Sequence, residues 1–291
     1  MFKGSFTALI TPFKDGKFDE TSFRSIIDFQ LNSGTHGLVP TGTTGESPTL
    51  SHEEHIRIVE VCIEQANKKA PVIAGTGSNS TEEAIYLTKH AEKAGADAAL
   101  VVTPYYNKPS QEGLLQHFTK IANSVDIPII IYNIPGRSIV DMNNETMAKL
   151  FKIKNIVGVK DATADIPRVY FTKNEVGSDY NLLSGDDATT LAFLTYGGHG
   201  AISVTSNIAP KLCSDFHNLC MDKKFHEASL INDCLMPLHK ALFLESSPGP
   251  VKYAASILGL CSEEVRLPVT TISNDTKKII DSALRHALLI N

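Results

Sequence analysis

The chain has 291 residues, 42% of them hydrophobic and 20% charged, which supplies a sizeable core and argues against long disordered stretches. A formal net charge of −5 offers no basic footprint for nucleic acid or an anionic membrane, so small molecules and further copies of the chain are the expected partners. Five cysteines (Cys62, Cys213, Cys220, Cys234, Cys261) with no CxxC pair argue against a disulfide framework or a structural zinc and for a reducing compartment. No window approaches the ~18 consecutive apolar residues of a membrane span. The N-terminal segment lacks a signal peptide's basic start and apolar stretch, so a cytoplasmic location is expected.

In chain order, eight short β-branched runs read as strands: residues 5–11, 37–41, 71–75, 98–103, 127–132, 156–160, 181–184 and 200–204. Several are apolar on consecutive positions, as suits parallel strands covered on both faces. Helical spacing fills the gaps. Phe23, Ile26, Ile27 and Leu31 recur at helical intervals and Gly34 stops that element, while Ser51 with Glu54 and Ser80 with Glu83 match capping boxes. Ala84, Leu87, Ala91 and Ala94 continue to Gly95, whereas residues 168–173 are weakly patterned.

Eight β/α alternations predict a (β/α)8 TIM barrel over residues 1–222. Helical stretches near 224–243, 248–258 and 273–289 then read as an appended C-terminal helical bundle, residues 223–291. The rival open nucleotide-binding sheet would show a glycine fingerprint, and Gly75-Thr76-Gly77-Ser78-Asn79-Ser80 lacks the last glycine.

A barrel gathers its functional groups at the C-terminal ends of strands. Those ends carry Gly42-Thr43-Thr44-Gly45-Glu46, Thr103-Pro104-Tyr105-Tyr106-Asn107, Tyr132-Asn133 with Arg137 close behind, Lys160-Asp161, Gly185-Asp186-Asp187 and Ser203-Val204-Thr205. A lysine at the barrel mouth loses charge on burial and leaves a neutral amine to attack a carbonyl. Lys160 fits that description, against the ordinary alternative of a solvated strand-end lysine. Tyr132, ending the preceding strand, could relay protons beside it. Thr43 and Thr44, between glycines at a helix start, could cradle a carboxylate, and Arg137 could grip a second one bidentately. A plain glycine turn and an exposed loop arginine are the ordinary alternatives. Together these groups suit a keto acid activated as an imine, whose nitrogen accepts the electrons released from the α-carbon, so neither metal nor organic cofactor is expected. His52 and His55 have zinc-ligand spacing without a third ligand.

The strings GTTGES (42–47), PYYNKPSQEGL (104–114), YNIPGR (132–137), GVKDAT (158–163), LLSGDD (182–187), GGHGAISV (197–204) and SPGPVK (247–252) resemble the pyruvate-dependent aldolase superfamily and, within it, the dihydrodipicolinate synthase family. The resemblance runs end to end. It implies condensation of pyruvate with L-aspartate 4-semialdehyde, Schiff-base chemistry on Lys160 and proton relay through Tyr132. It further implies that Thr43 links Tyr132 to a neighbouring subunit's Tyr106, that Thr44 holds the pyruvate carboxylate and Arg137 that of the semialdehyde, and that backbone at Gly185 and Ile202 lines the site. A homotetramer of two dimers is implied, as is an inhibitory lysine site at Ser47, His52, His55, Asn79, Glu83 and Tyr105.

Three departures stand out: Pro48 where a small residue is common, Lys108 for a frequent arginine, and Pro40 inside an expected strand. Sibling lyases acting on N-acetylneuraminate or keto-deoxy sugar acids share the same lysine and tyrosine. A catalytically silent barrel sensing a small carboxylate is the alternative of a different class.

Overall fold

The structure, a computed structural model, describes residues 1–177 and 179–291. Contacts divide it into two compact units, Gly4–Pro71 with Ser203–Asn291, and Met1–Lys3 with Val72–Ile202.

The first of these opens with the buried strand β1 (Gly4–Ala8). A hairpin, β2 (Phe13–Lys14) and β3 (Lys17–Phe18), follows where no strand is expected. Asp15 (φ 54°) and Gly16 (φ 77°) adopt the left-handed pair of conformations that a two-residue turn of right-handed twist demands. Helix α1 (Glu20–Asn32) is capped by the Asp19 side chain, buries Phe23, Ile26 and Ile27, and gives way at Gly34 (φ 81°). Strand β4 (Gly37–Val39) runs parallel to β1, from Phe6 opposite Gly37 to Ala8 opposite Val39. Pro40 falls one residue past β4, outside the ladder, which removes the difficulty of a proline in a buried strand. Helix α2 (His52–Ala66) starts with the predicted Ser51/Glu54 capping box.

The second unit holds β5 (Ile73–Gly75), α3 (Thr81–Ala94), β6 (Ala98–Val102), α4 (Gln111–Ala122), β7 (Ile129–Asn133), α5 (Pro135–Ser138) and α6 (Asn144–Leu150). It continues with β8 (Ile156–Asp161), α7 (Ile166–Val176), β9 (Asn181–Ser184), α8 (Thr190–Thr195) and β10 (Gly200–Ser203). Strands β5 to β10 lie side by side in chain order, all parallel. Helix α7 is longer than the weak pattern at 168–173 suggests; it buries only Val169 and Thr172, too little apolar material to show as a stripe. Each predicted strand is found, with ends shifted by at most three residues.

One irregularity decides how the strands present their residues. Ile129 of β7 stands opposite Ile156, but Ile130 stands opposite Gly158, so Val157 is an extra residue on β8. The core cluster under the helices accordingly takes Ile129 and Ile131 from β7, two apart, but Ile156 and Val159 from β8, three apart. Gly158 follows the bulge, and a Cβ there would sit 2.4 Å from the Asn181 carbonyl oxygen.

Beyond Ser203 the chain adds α9 (Pro210–Met221), α10 (Phe225–Ala241), α11 (Gly249–Ile257) and α12 (Asn274–His286), the last three trimming the expected helical stretches by one to three residues at their ends. Among the described residues no helix is long and apolar enough to cross a membrane.

Candidate active site

Above the bulge the alternation of β7 and β8 is back in step. Val159 faces the helices, so Lys160 and Tyr132 share the opposite face of the sheet, directly across from each other. Both are 6% exposed. The Lys160 ammonium nitrogen stands 4.1 Å from the centroid of the Tyr132 ring, well inside the range in which a cation and an aromatic face attract. The solvated strand-end reading of Lys160 is thereby ruled out. Gly185, just past β9, donates its N–H to the Asp161 carbonyl at 2.6 Å; a Cβ there would lie 3.0 Å from Lys160 Cε and 2.8 Å from Ala162 Cβ. Ile202, in β10, is buried.

The residues following Tyr132 and Lys160 point the other way and form a polar layer that the sequence reading misses. Asn133, fully buried, donates to Asp141 Oδ1 at 2.7 Å and accepts the Met142 N–H at 3.0 Å. Asp161 accepts both the backbone and the hydroxyl of Thr163, at 2.8 and 2.6 Å. Burial pushes its carboxyl above the ordinary range, although these hydrogen bonds and the nearby Arg168 pull the other way. Arg168, at the start of α7, reaches Asp141, Asp161 and the Met142 carbonyl. The signal available in sequence was only the polar character of Asn133 and Asp161 at strand ends.

Arg137 is exposed on the short α5 turn. The turn is anchored by the buried Ser138, whose Oγ accepts from Thr103 Oγ1 at 3.1 Å and lies 2.9 Å from the Ile134 carbonyl and 3.0 Å from that of Val140. Ile139 follows at φ 68°, a strained conformation for a β-branched residue. Tyr106 is 93% exposed at φ 72°, and Lys108 beside it is exposed as well.

The structure brings Asn79, Glu83 and Tyr105 together. Asn79 Nδ2 donates to the Tyr105 carbonyl at 3.2 Å, and Asn107 Nδ2 to the Asn79 carbonyl at 2.8 Å. The expected Ser80/Glu83 capping box is only half made. Ser80 Oγ accepts the Glu83 N–H at 3.4 Å, but the Glu83 carboxylate takes the Ser78 hydroxyl, and the Ser80 N–H goes to Ser78 Oγ at 3.0 Å. Glu83 is thus turned towards Tyr105, whose phenol is raised first by burial and then by that carboxylate.

Thr43, Thr44, Ser47, His52 and His55 belong to the other unit. Thr44 is buried and Thr43 half-buried in a turn closed by Gly45 N–H to Gly42 O (3.0 Å) and Glu46 N–H to Thr43 O (3.1 Å). Thr11 Oγ1 holds the turn through Gly45 O at 2.7 Å. The helix start expected here is a 3-10 turn, Ser47–Thr49, and α2 begins only at His52. Pro48 sits in the first turn of that element, where a missing N–H costs nothing. His52 is exposed on the first turn of α2 and His55, three residues on, is buried.

Glu46, quoted in the GTTGES string without a role, is the buried acid of this loop. It accepts Lys252 Nζ and the Arg266 N–H, the latter at 2.9 Å, while Lys252 also donates to the Glu264 carbonyl at 2.6 Å and lies 4.1 Å from the Phe13 ring centroid. Lys252 comes from the SPGPVK string, so two of the quoted motifs meet in one ion pair.

The sequence matches the model of the dihydrodipicolinate synthetase family over residues 1–287. A 4-hydroxy-tetrahydrodipicolinate synthase from Bradyrhizobium diazoefficiens is 58% identical over 290 residues, covering 100% of this chain and 98% of its own. The dihydrodipicolinate synthase of Acinetobacter baumannii, solved in complex with pyruvate, superimposes with a TM-score of 0.98 at 45% identity over all of both chains. That of Cyanidioschyzon merolae, solved with lysine bound, gives 0.96 at 38% identity over 99% of each. The fold class is the expected (β/α)8 barrel with C-terminal helices.

Proposed function

The chain belongs to the dihydrodipicolinate synthetase family, an enzyme of lysine and diaminopimelate biosynthesis that condenses pyruvate with L-aspartate 4-semialdehyde, and we propose that it does so through an imine on Lys160. The observation that carries this reading is the Lys160–Tyr132 pair, buried and 4.1 Å apart from nitrogen to ring centroid. The amine adds to the keto carbon of pyruvate and water leaves. Loss of a methyl proton then yields an enamine, with the imine nitrogen taking the electron pair, and the enamine carbon attacks the aldehyde of the second substrate. The iminium is itself the electron sink, so the proposed chemistry calls for no metal or organic cofactor.

Tyr132 is the proposed proton relay, with Thr43 passing protons to it. Thr44 is assigned to the pyruvate carboxylate, Arg137 to the carboxylate of the semialdehyde, and the backbone of Gly185 and Ile202 to the walls. An exposed tyrosine tip at Tyr106 suits delivery into a neighbouring copy's site, which makes a dimer the smallest competent unit and a tetramer of two dimers the proposed assembly. Lysine is the proposed inhibitor, and Glu83, Asn79 and Tyr105 form a cluster with a carboxylate and an amide for ammonium groups; Ser47, His52 and His55 are assigned to the same ligand. Arg137 and the Tyr105-Tyr106 pair favour the semialdehyde over a sugar aldehyde, whose hydroxyls would call for more polar walls.

Borohydride reduction in the presence of pyruvate, read by peptide mass spectrometry, tests the reading. An adduct on Lys160, absent from Lys160→Ala, is expected; a protein left unmodified under these conditions would sink it.

A further inference from the structure

Arg168 lies on α7, away from every motif that marks the site, yet its guanidinium ties together the three segments that carry the proposed chemistry. Its side chain is 11% exposed. One Nη donates to Asp141 Oδ2 at 2.7 Å and the other to the Met142 carbonyl. Its Nε faces Asp161 Oδ2 at 3.3 Å, close enough for an ion pair although not aligned for a hydrogen bond. Asp161 follows Lys160 directly. Asp141 and Met142 follow the turn that bears Arg137, and both are fastened to Asn133, the residue after Tyr132.

We propose that Arg168 is a positioning residue for the condensation, holding the Arg137 turn at a fixed distance from the Lys160–Tyr132 pair. The inference rests on the reading of Lys160 as the imine-forming amine. Its physical basis is the planar fork: three nitrogens in one rigid plane address two carboxylates and a carbonyl on two different loops, a geometry that a lysine cannot copy. The Arg137 turn is anchored by the Ser138 side chain, and beyond the strained Ile139 the chain is held by Asn133, which binds Asp141 and Met142, and by Gln111, which donates to the Asp141 carbonyl. Of these ties, that of Arg168 is the one that also reaches Asp161 beside Lys160. Removing the fork leaves Asp141 and Met142 fastened to Asn133 and Gln111 but no longer to Asp161, so the strand ends stay put and the turn loses its tie to the loop that follows Lys160. Binding of the second substrate therefore suffers before imine formation does.

The test compares Arg168→Lys, which keeps charge without the fork, and Asp141→Asn, which keeps the shape without the charge, with the wild type. Competent sites are first counted by borohydride trapping with pyruvate. KM and kcat are then measured per trapped site, with each substrate varied in turn. For Arg168→Lys we expect KM for the semialdehyde to rise about tenfold while KM for pyruvate stays within about twofold. Asp141→Asn shifts in the same direction. Wild-type constants per trapped site in both variants, with only the melting temperature lowered, would reduce Arg168 to a structural residue and overturn the proposal. Equal losses for both substrates would also overturn it. If the wild type itself fails to trap pyruvate on Lys160, the functional reading falls first; a trapping wild type with unaffected variants leaves that reading intact and removes only the role of Arg168.

Discussion

Lys252 Nζ lies 2.5 Å from Glu46 Oε1, with the two side chains 0% and 3% exposed. Burial pushes the lysine below its ordinary pKa while Glu46 pulls it back up, so each charge depends on the other. Breaking a buried pair strands one ion out of water and costs about 3–5 kcal/mol, whereas replacing both partners by neutral groups costs far less. Lys252→Met should therefore lower the urea midpoint sharply, and adding Glu46→Gln should restore much of the loss. Additive destabilisation in the double variant would contradict the pairing.

Gly185 leaves room for the reactive side chain. A methyl group there would meet Lys160 Cε at 3.0 Å and Ala162 Cβ at 2.8 Å, and the first of these must yield by rotating the amine. Gly185→Ala is expected to slow pyruvate trapping on Lys160 by about a hundredfold, the scale of an ångström's misplacement, and to lower the unfolding midpoint as well, because Ala162 Cβ is fixed to the backbone and cannot rotate away. Trapping at the wild-type rate would show that the amine has more freedom than its surroundings indicate.

Tyr106 is 93% exposed within its own chain and contributes little to folding. Tyr106→Phe should leave the unfolding free energy within the scatter of a surface change, about 0.5 kcal/mol, and cut turnover by about a hundredfold through loss of the hydroxyl's proton transfer. Mixing this variant with Lys160→Ala would restore activity in hybrid dimers, since one site then receives an intact tyrosine and keeps its own lysine. No recovery in the mixture would argue against sharing between subunits.

His117 is buried on α4. Its Nδ1 meets Thr81 Oγ1 at 2.9 Å, and its Nε2 has no partner among the described residues. Burial pushes its pKa down to about 4 from 6.5. The unfolded chain therefore takes up a proton that the folded one refuses, and stability is lost as pH falls from about 6.5 to about 4, at up to about 1.4 kcal/mol per unit. Above that window the contribution is complete. Urea midpoints of His117→Gln should fall less steeply than those of the wild type between these two pH values; parallel curves would show that another group sets the acid limit.

The strands were legible because consecutive apolar residues between polar turns have few other uses, and Lys160 stood out as a cation closing such a run. The hairpin at residues 13–18 went unread: its signal is the Asp15-Gly16 pair alone, and its arms are two residues long and give no periodicity. Arg168 and Lys252 were hidden for a different reason. Their partners lie 7 to 206 positions away, and nothing in either helix's own sequence shows that its cation turns inward. Glu83 misled for a third reason: a capping pattern fixes the backbone donor, and Ser78, outside the pattern, took the carboxylate.

The surplus residue Val157 gives β8 two independent phases. Below it, Ile156 answers to the hydrophobic interior; above it, Lys160 answers to a phenol on the next strand. Strict alternation from Ile156 would carry Lys160 to the helix side with it, so the surplus residue is what lets one short strand feed the core and still offer a cation to the opposite face.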